Sequence, residues 1–231
     1  MARRQARFTV RDMADNPWLS DHSADLWDEA LGDVPRGLLS SAVRCFASNG
    51  FHATTTRDIC QGVELTPGAL YVHFPSKELV LFEIIRTGHE RALTYIRSTP
   101  DLTTANPADR LRAIVARHVE WHARHHVAAR VCQYELAALA PQHYDEVLEL
   151  RHQTNRFFRD AVARGVADGS FAQIDVKRVT RAILSLSIDL VRWYQLEGSD
   201  SPEQLGEFYA DLALTLVTHG GTRPGARTDN R

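Results

Sequence analysis

The stretch from Thr54 to Leu79, TTTRDICQGVELTPGALYVHFPSKEL, leaves the chain little choice of local structure. Thr55 can cap a helix, with Asp58 three residues on at capping-box spacing. Ile59 and Val63 follow at i, i+4 and can face inward. A turn falls around Glu64 and Leu65. Thr66 is placed to cap the next helix, and Pro67 takes its first position, where no backbone donor is lost. Phe74-Pro75 ends that helix, because a residue before proline is pushed out of the α region. Ser76 then caps a third helix, with Lys77 and Glu78 in its first turn.

Two short helices joined by a tight turn form a helix-turn-helix, whose second helix enters the DNA major groove. Gly68 and Ala69 are small enough for a close backbone approach to base edges. The Thr66 and Ala69 methyls can meet thymine methyls, and the Thr66 hydroxyl can bond either base type. Tyr71, His73 and Lys77 can reach phosphates. From composition alone, an ordinary helical hairpin in which Tyr71 and Phe74 merely pack fits equally well.

The segment LTPGALYVHFPSKEL resembles the recognition helix and following junction of TetR-family transcriptional regulators. The agreement runs backward through FASNGFHATTTRDI and covers roughly residues 38–85. The resemblance implies an all-α chain. Its N-terminal part would be a three-helix helix-turn-helix DNA-binding domain, and the rest a C-terminal helical bundle for ligand binding and dimerisation. It implies double-stranded operator DNA as partner, with phosphate contacts from Tyr71, His73 and Lys77. Thr66, Pro67, Gly68 and Ala69 would face the bases, and Thr55, Thr56 and Arg57 would join the DNA face. One position departs: Glu64 stands where the family favours glycine. A turn that needs φ > 0 there costs a non-glycine residue about 1 kcal/mol.

The net charge of −2 looks unsuited to a DNA binder, but it is unevenly spread. Residues 1–11 hold Arg3, Arg4, Arg7 and Arg11 and no acid, whereas residues 12–33 hold seven acids and no base. Affinity would then lean on backbone N–H groups, helix N-termini and dimerisation. Residues 1–34 lack periodicity, so a disordered extension is expected, either an arginine arm for a minor groove or a solvated tail. Trp18 and Trp27 are unusual for such a tail and could dock. The DNA-binding domain is expected over residues 35–80, the bundle over 81–221 and a loose tail over 222–231.

Cys45, Cys60 and Cys132 are scattered, without metal spacing, and read as buried thiols of a cytoplasmic protein. No apolar run suits a membrane span, and the arginine-rich start lacks the apolar region that a signal peptide needs. Asn106-Pro107 starts a helix, Val127–Leu139 forms another, and a long one runs to Asp168, stopped by Gly169. Asp175 caps the next, expected to reach Gly198, and Ser201 starts the last. These final two helices are apolar beyond one stripe, which suits a homodimer interface; a single thick core is the alternative.

Polar residues on otherwise apolar stripes mark a small-molecule site: His118, Trp121, His122, Tyr134, Glu135, Arg151, Phe158, Asp189 and Trp193. The i, i+4 pair His118 and His122 also admits a metal-sensing alternative. No nucleophile elbow, phosphate loop or dinucleotide fingerprint is present, so neither an enzyme nor a bound cofactor is expected. The C-terminal half, with ADGSF, RWYQLEG and SPEQLGEFYADLAL, is similar to TetR-family regulators of lipid and sterol catabolism. That similarity implies a hydrophobic effector such as an acyl-coenzyme A.

Overall fold

In the computed structural model, residues 16–100 and 106–219 are described, and among them there are nine α-helices and no strand. Helices α1 (Asp33–Asn49), α2 (Thr56–Gln61) and α3 (Pro67–His73) form the small N-terminal unit. Leu38, Leu39, Ala42, Val43 and Phe46 of α1 bury against Ile59 and Cys60 of α2 and Leu70 of α3. Helix α1 stops at Gly50, whose φ of 77° and ψ of 162° belong to a region open only to glycine. Gly62 lets α2 lie on α1: a Cβ there would stand 2.1 Å from Ser41 Oγ, which donates to the Ile59 carbonyl.

The helix starts follow the caps written in the sequence. Thr55 and Asp58 form a full capping box, and Ser76 accepts from Leu79 N. Thr66 does not cap with its side chain; the proline at the first position of α3 has already removed one donor needing a partner. The turn before it is regular. Glu64 sits at φ 56°, so the left-handed residue expected there is present without glycine.

Helix α4 (Lys77–Arg97) belongs to both halves, touching α1 on one side and α5, α6 and α7 on the other. Lys77 ties its start to the N-terminal unit. The ammonium donates to the Phe51 and Thr54 carbonyls, each at 2.7 Å, and lies 4.1 Å above the Phe51 ring. The bundle comprises α5 (Pro107–Arg124), α6 (His126–Tyr134), α7 (Pro141–Ala167), α8 (Val176–Asp189) and α9 (Pro202–Thr218). Helix α5 is its strut, packed along α9 and against α4, α7 and α8. Gly206 permits that packing, since a Cβ there would meet the Ala116 carbonyl at 2.9 Å. Arg112 pairs with Glu207 and Asp211, and Arg124 with Glu203, across the same contact.

Three expectations need correction. Residues 16–34 are not a formless tail. They form short 3-10 turns at Pro17–Leu19, Ser23–Leu26 and Glu29–Leu31, with Leu19, Leu26 and Trp27 buried. Asp21 accepts from Val127 N at 2.7 Å and Ser23 from Ala128 N at 3.1 Å, supplying partners for donors at the start of α6. Trp27 donates to Ser40 Oγ at 2.7 Å. The arginines at 3, 4, 7 and 11 and the tail after residue 219 lie outside the described residues. The helix expected to reach Gly198 stops at Asp189 and gives way to a 3-10 turn, Leu190–Arg192. Arg130 Nε takes the Val191 carbonyl at 3.1 Å, a tertiary bond that periodicity does not encode. The helix expected over 127–139 ends at Tyr134, followed by a 3-10 turn at Leu136–Ala138.

Two outcomes follow from the backbone geometry. Glu64→Gly should relieve the left-handed residue and raise stability by about 0.5–1 kcal/mol, less the extra chain entropy of glycine. Urea unfolding reads it; a loss would mean that Glu64 makes a compensating contact. Lys77→Met should lower stability by about 1–2 kcal/mol, because two carbonyls lose a charged donor that is only partly screened by water. An unchanged unfolding midpoint with weakened DNA binding would restore Lys77 to a phosphate role.

Candidate functional site

The outer surface of α2 and α3 is built from residues that the core does not use. Thr55, Arg57, Thr66, Pro67, Gly68, Tyr71 and His73 are exposed, Thr56 and Ala69 half-buried. Leu70 alone anchors α3, fully buried beneath it. A Cβ on Gly68 would meet nothing within 4 Å, so no internal contact requires glycine there. Val72 is 78% exposed and Tyr71 55%. Val72 carried no role in the sequence reading; only its place between Tyr71 and His73 pointed to it. The Thr55 hydroxyl serves the capping box and Lys77 holds Phe51 and Thr54, whereas Tyr71 and His73 are exposed. The exposed side chains make a ridge along α3, and an α-helix is an element that the DNA major groove admits.

The second feature is a cavity of about 490 Å³ inside the bundle, walled by α4, α5, α6, α7 and α8. His118, Trp121, His122, Tyr134, Arg151 and Asp189 line it, as the polar-on-apolar pattern indicated. Sequence reasoning missed His89, Cys132, Gln133, Asn155, Arg181 and Ser185 among others. His89 stands on α4, and a histidine on an otherwise apolar stripe was the available signal.

Three residues expected at the cavity are elsewhere. Glu135 points to the N-terminal unit and accepts from Phe51 N at 3.0 Å. Phe158 is fully buried behind the wall, its ring edge-on to His118 with centroids 5.0 Å apart. Trp193 is 46% exposed, because α8 ends before it and the 3-10 turn carries it off the stripe.

The histidines form a desolvated cluster. His118 is 2% exposed and its ring lies 4.2 Å from that of His122. His122 Nδ1 is bonded to the His118 carbonyl at 2.7 Å, which fixes the orientation of the ring. Among the described residues no group of three His, Cys, Asp or Glu side chains could hold a metal ion, so nothing in the structure supports the metal-sensing alternative. Burial lowers His89 to about 3 and His122 to about 4, and takes His118 well below its usual range. Arg151 adds to the effect at His89, and His122 to that at His118. These rings are neutral hydrogen-bonding groups at physiological pH. Such a cavity, mostly apolar with a few polar groups, suits a small organic molecule.

Residues 38–84 match the family described as Bacterial regulatory proteins, tetR family, and residues 104–217 match Tetracyclin repressor-like, C-terminal domain. The HTH-type transcriptional repressor KstR2 of Mycobacterium tuberculosis is 34% identical over 199 residues, 84% of this chain and 99% of that one. Among solved structures, a bacterial regulatory protein in the tetR family from Rhodococcus RHA1 gives a TM-score of 0.74 at 32% identity, covering 86% of this chain and 98% of that one. The ketosteroid transcriptional regulator KstR2 of Mycobacterium tuberculosis gives 0.74 at 31% identity, covering 81% and 96%. AibR, solved with isovaleryl coenzyme A and operator DNA, shares the fold, with a TM-score of 0.67 at 21% identity over 80% and 98% of the chains.

The neutral histidines predict an acid sensitivity. Their folded-state pKa values lie below those of the unfolded chain, so the unfolded chain binds more protons. Stability should be intact above pH about 6.5 and fall as the pH drops toward 4, by up to about 1.4 kcal/mol per pH unit for each histidine. Urea midpoints between pH 7.5 and 4.5 read the slope. It should be shallower in His118→Gln and His122→Gln; equal slopes in all three proteins would place the acid lability elsewhere.

Proposed function

The chain belongs to the TetR family of bacterial regulatory proteins and is a DNA-binding transcriptional repressor, and from that premise we propose that a small hydrophobic ligand in the bundle cavity releases it from a near-palindromic operator. The ligand we favour is an acyl-coenzyme A of lipid or sterol breakdown. The observation that carries this reading is α4: the helix that walls the cavity with Gly88, His89 and Ala92 begins at Lys77, which grips the N-terminal unit. A ligand that binds one placement of α4 better than another must shift the DNA-binding unit with it. The similarity to KstR2, a ketosteroid regulator, favours a lipid-derived ligand, and AibR, of the same fold, was solved in complex with isovaleryl coenzyme A.

The DNA face in this reading is the exposed surface of α2 and α3. Tyr71 and His73 meet phosphates, and Thr66, Pro67, Gly68 and Ala69 face base edges, with Arg57 and Thr56 beside them. Two copies present two recognition helices to two half-sites. Helices α8 and α9 supply the mating surface: Leu186 and Phe208 are exposed, and Ile183, Tyr209, Leu212 and Leu216 border a shallow apolar groove between them. Paired across a two-fold axis, they would make a four-helix interface.

The experiment begins with an operator selected from a random duplex pool. A near-palindromic consensus should emerge. Acyl-coenzyme A thioesters should then raise the melting temperature and weaken operator binding together, since the two events share one equilibrium. A hundredfold excess over the dissociation constant corresponds to about 2.7 kcal/mol of stabilisation. Thioesters that leave both quantities unchanged would remove the lipid effector from this account, and the absence of any consensus would remove the operator.

A further inference from the structure

The polar groups of the cavity are unevenly paired. Arg151 of α7 lines it half-buried and, among the described residues, makes no ion pair or hydrogen bond. Its neighbour on the same helix, Arg156, is held by Glu149 at 2.6 Å. The one carboxylate in the lining, Asp189, pairs with Arg192 at 3.4 Å. The groups closest to Arg151 do not neutralise it. Burial keeps the Cys132 thiol protonated, pushed up to about 12, and keeps His89 uncharged. Two guanidiniums, Arg151 and Arg181, thus stand against a single carboxylate in the lining. Two buried ring nitrogens on the same wall, His89 Nε2 and His118 Nδ1, also have no partner. A buried polar atom left unpaired carries a free-energy cost, and several around one cavity favour a guest that brings matching polar groups.

Resting on the reading of this cavity as the effector site, we propose that the effector presents an anionic group to Arg151, a carboxylate or a phosphate whose paired oxygens match the guanidinium fork. A lysine would serve as a point charge, whereas the planar fork fixes the orientation of the group it holds. The apolar body of the ligand then lies among Ala92, Trp121, Ala129, Leu148, Leu184 and Ile188. A neutral lipid of the same size leaves Arg151 desolvated and unpaired, so it is rejected by the unmatched charge rather than by shape.

Calorimetric titration with decanoic acid, methyl decanoate, decanoyl-coenzyme A and coenzyme A tests this. The wild-type protein should bind the acid at least tenfold more tightly than the methyl ester. Arg151→Met should bring the acid down to the level of the ester, and Arg151→Lys should retain part of the difference. Both variants should melt with the wild type, because Arg151 has no protein partner to lose; the acid-to-ester ratio in the wild type stands in any case. If the charge comes from coenzyme A instead, decanoyl-coenzyme A will be the tight ligand, coenzyme A alone will bind weakly, and Arg151→Met will weaken both. Equal affinity for acid and ester, with decanoyl-coenzyme A indifferent to Arg151→Met, overturns the proposal, as does failure of every probe to bind. An acid that binds through Arg151 but leaves operator affinity unchanged would refute the effector reading while this inference stands.

Discussion

The backbone of one residue, Phe51, is gripped from both sides. Its N–H is donated to Glu135 in the bundle, and its carbonyl accepts from Lys77 at the head of α4. The same Lys77 holds the Thr54 carbonyl, just before the capping box that starts α2. The placement of the DNA-facing helices relative to the cavity therefore depends on a few charge-assisted hydrogen bonds to backbone. Apolar contact alone would let the two halves slide, because it has no direction.

The pattern repeats around the junction. Glu78 accepts from Ala140 N at the start of α7 and from His143, whose ring stacks on Phe82 at 4.0 Å. Asp21 and Ser23 occupy the donors at the start of α6. Side chains distant in sequence thus complete helix ends that local caps leave open. A shift of α6 or α7 around a ligand must strain these bonds or carry their partners along. The N-terminal 3-10 segment packs on α1 and α6 together.

Much of this fold was written locally. Thr55 with Asp58, Pro67, Phe74-Pro75, Ser76, Asn106, Asp175 and Ser201 each act within one turn, and each marks a helix boundary in the structure. The left-handed residue at Glu64 was legible too, from a turn that needed one. What escaped was tertiary. Arg130 ends a helix sixty-one residues away, Glu135 turns from the cavity to Phe51, and Trp193 follows the broken helix outward. The docking of residues 16–34 was hidden because short 3-10 turns leave no 3.6-residue stripe. Of the nine residues read as cavity lining, the six in place all lie within helices, two of them, Tyr134 and Asp189, at the last position, whereas Glu135 and Trp193 fall just past a helix end and Phe158 points one step too deep.

Helix α3 has one buried side chain and six that contribute little to the interior. Selection for folding therefore constrains Leu70 and the flanking proline and caps, and leaves the rest of the ridge nearly unconstrained. Changes at Thr66, Gly68, Ala69 or Val72 need no compensating change in the core. The vocabulary of operators can drift, after gene duplication, faster than the scaffold that presents it. Such a chain offers evolution a surface that can be rewritten without renegotiating the fold.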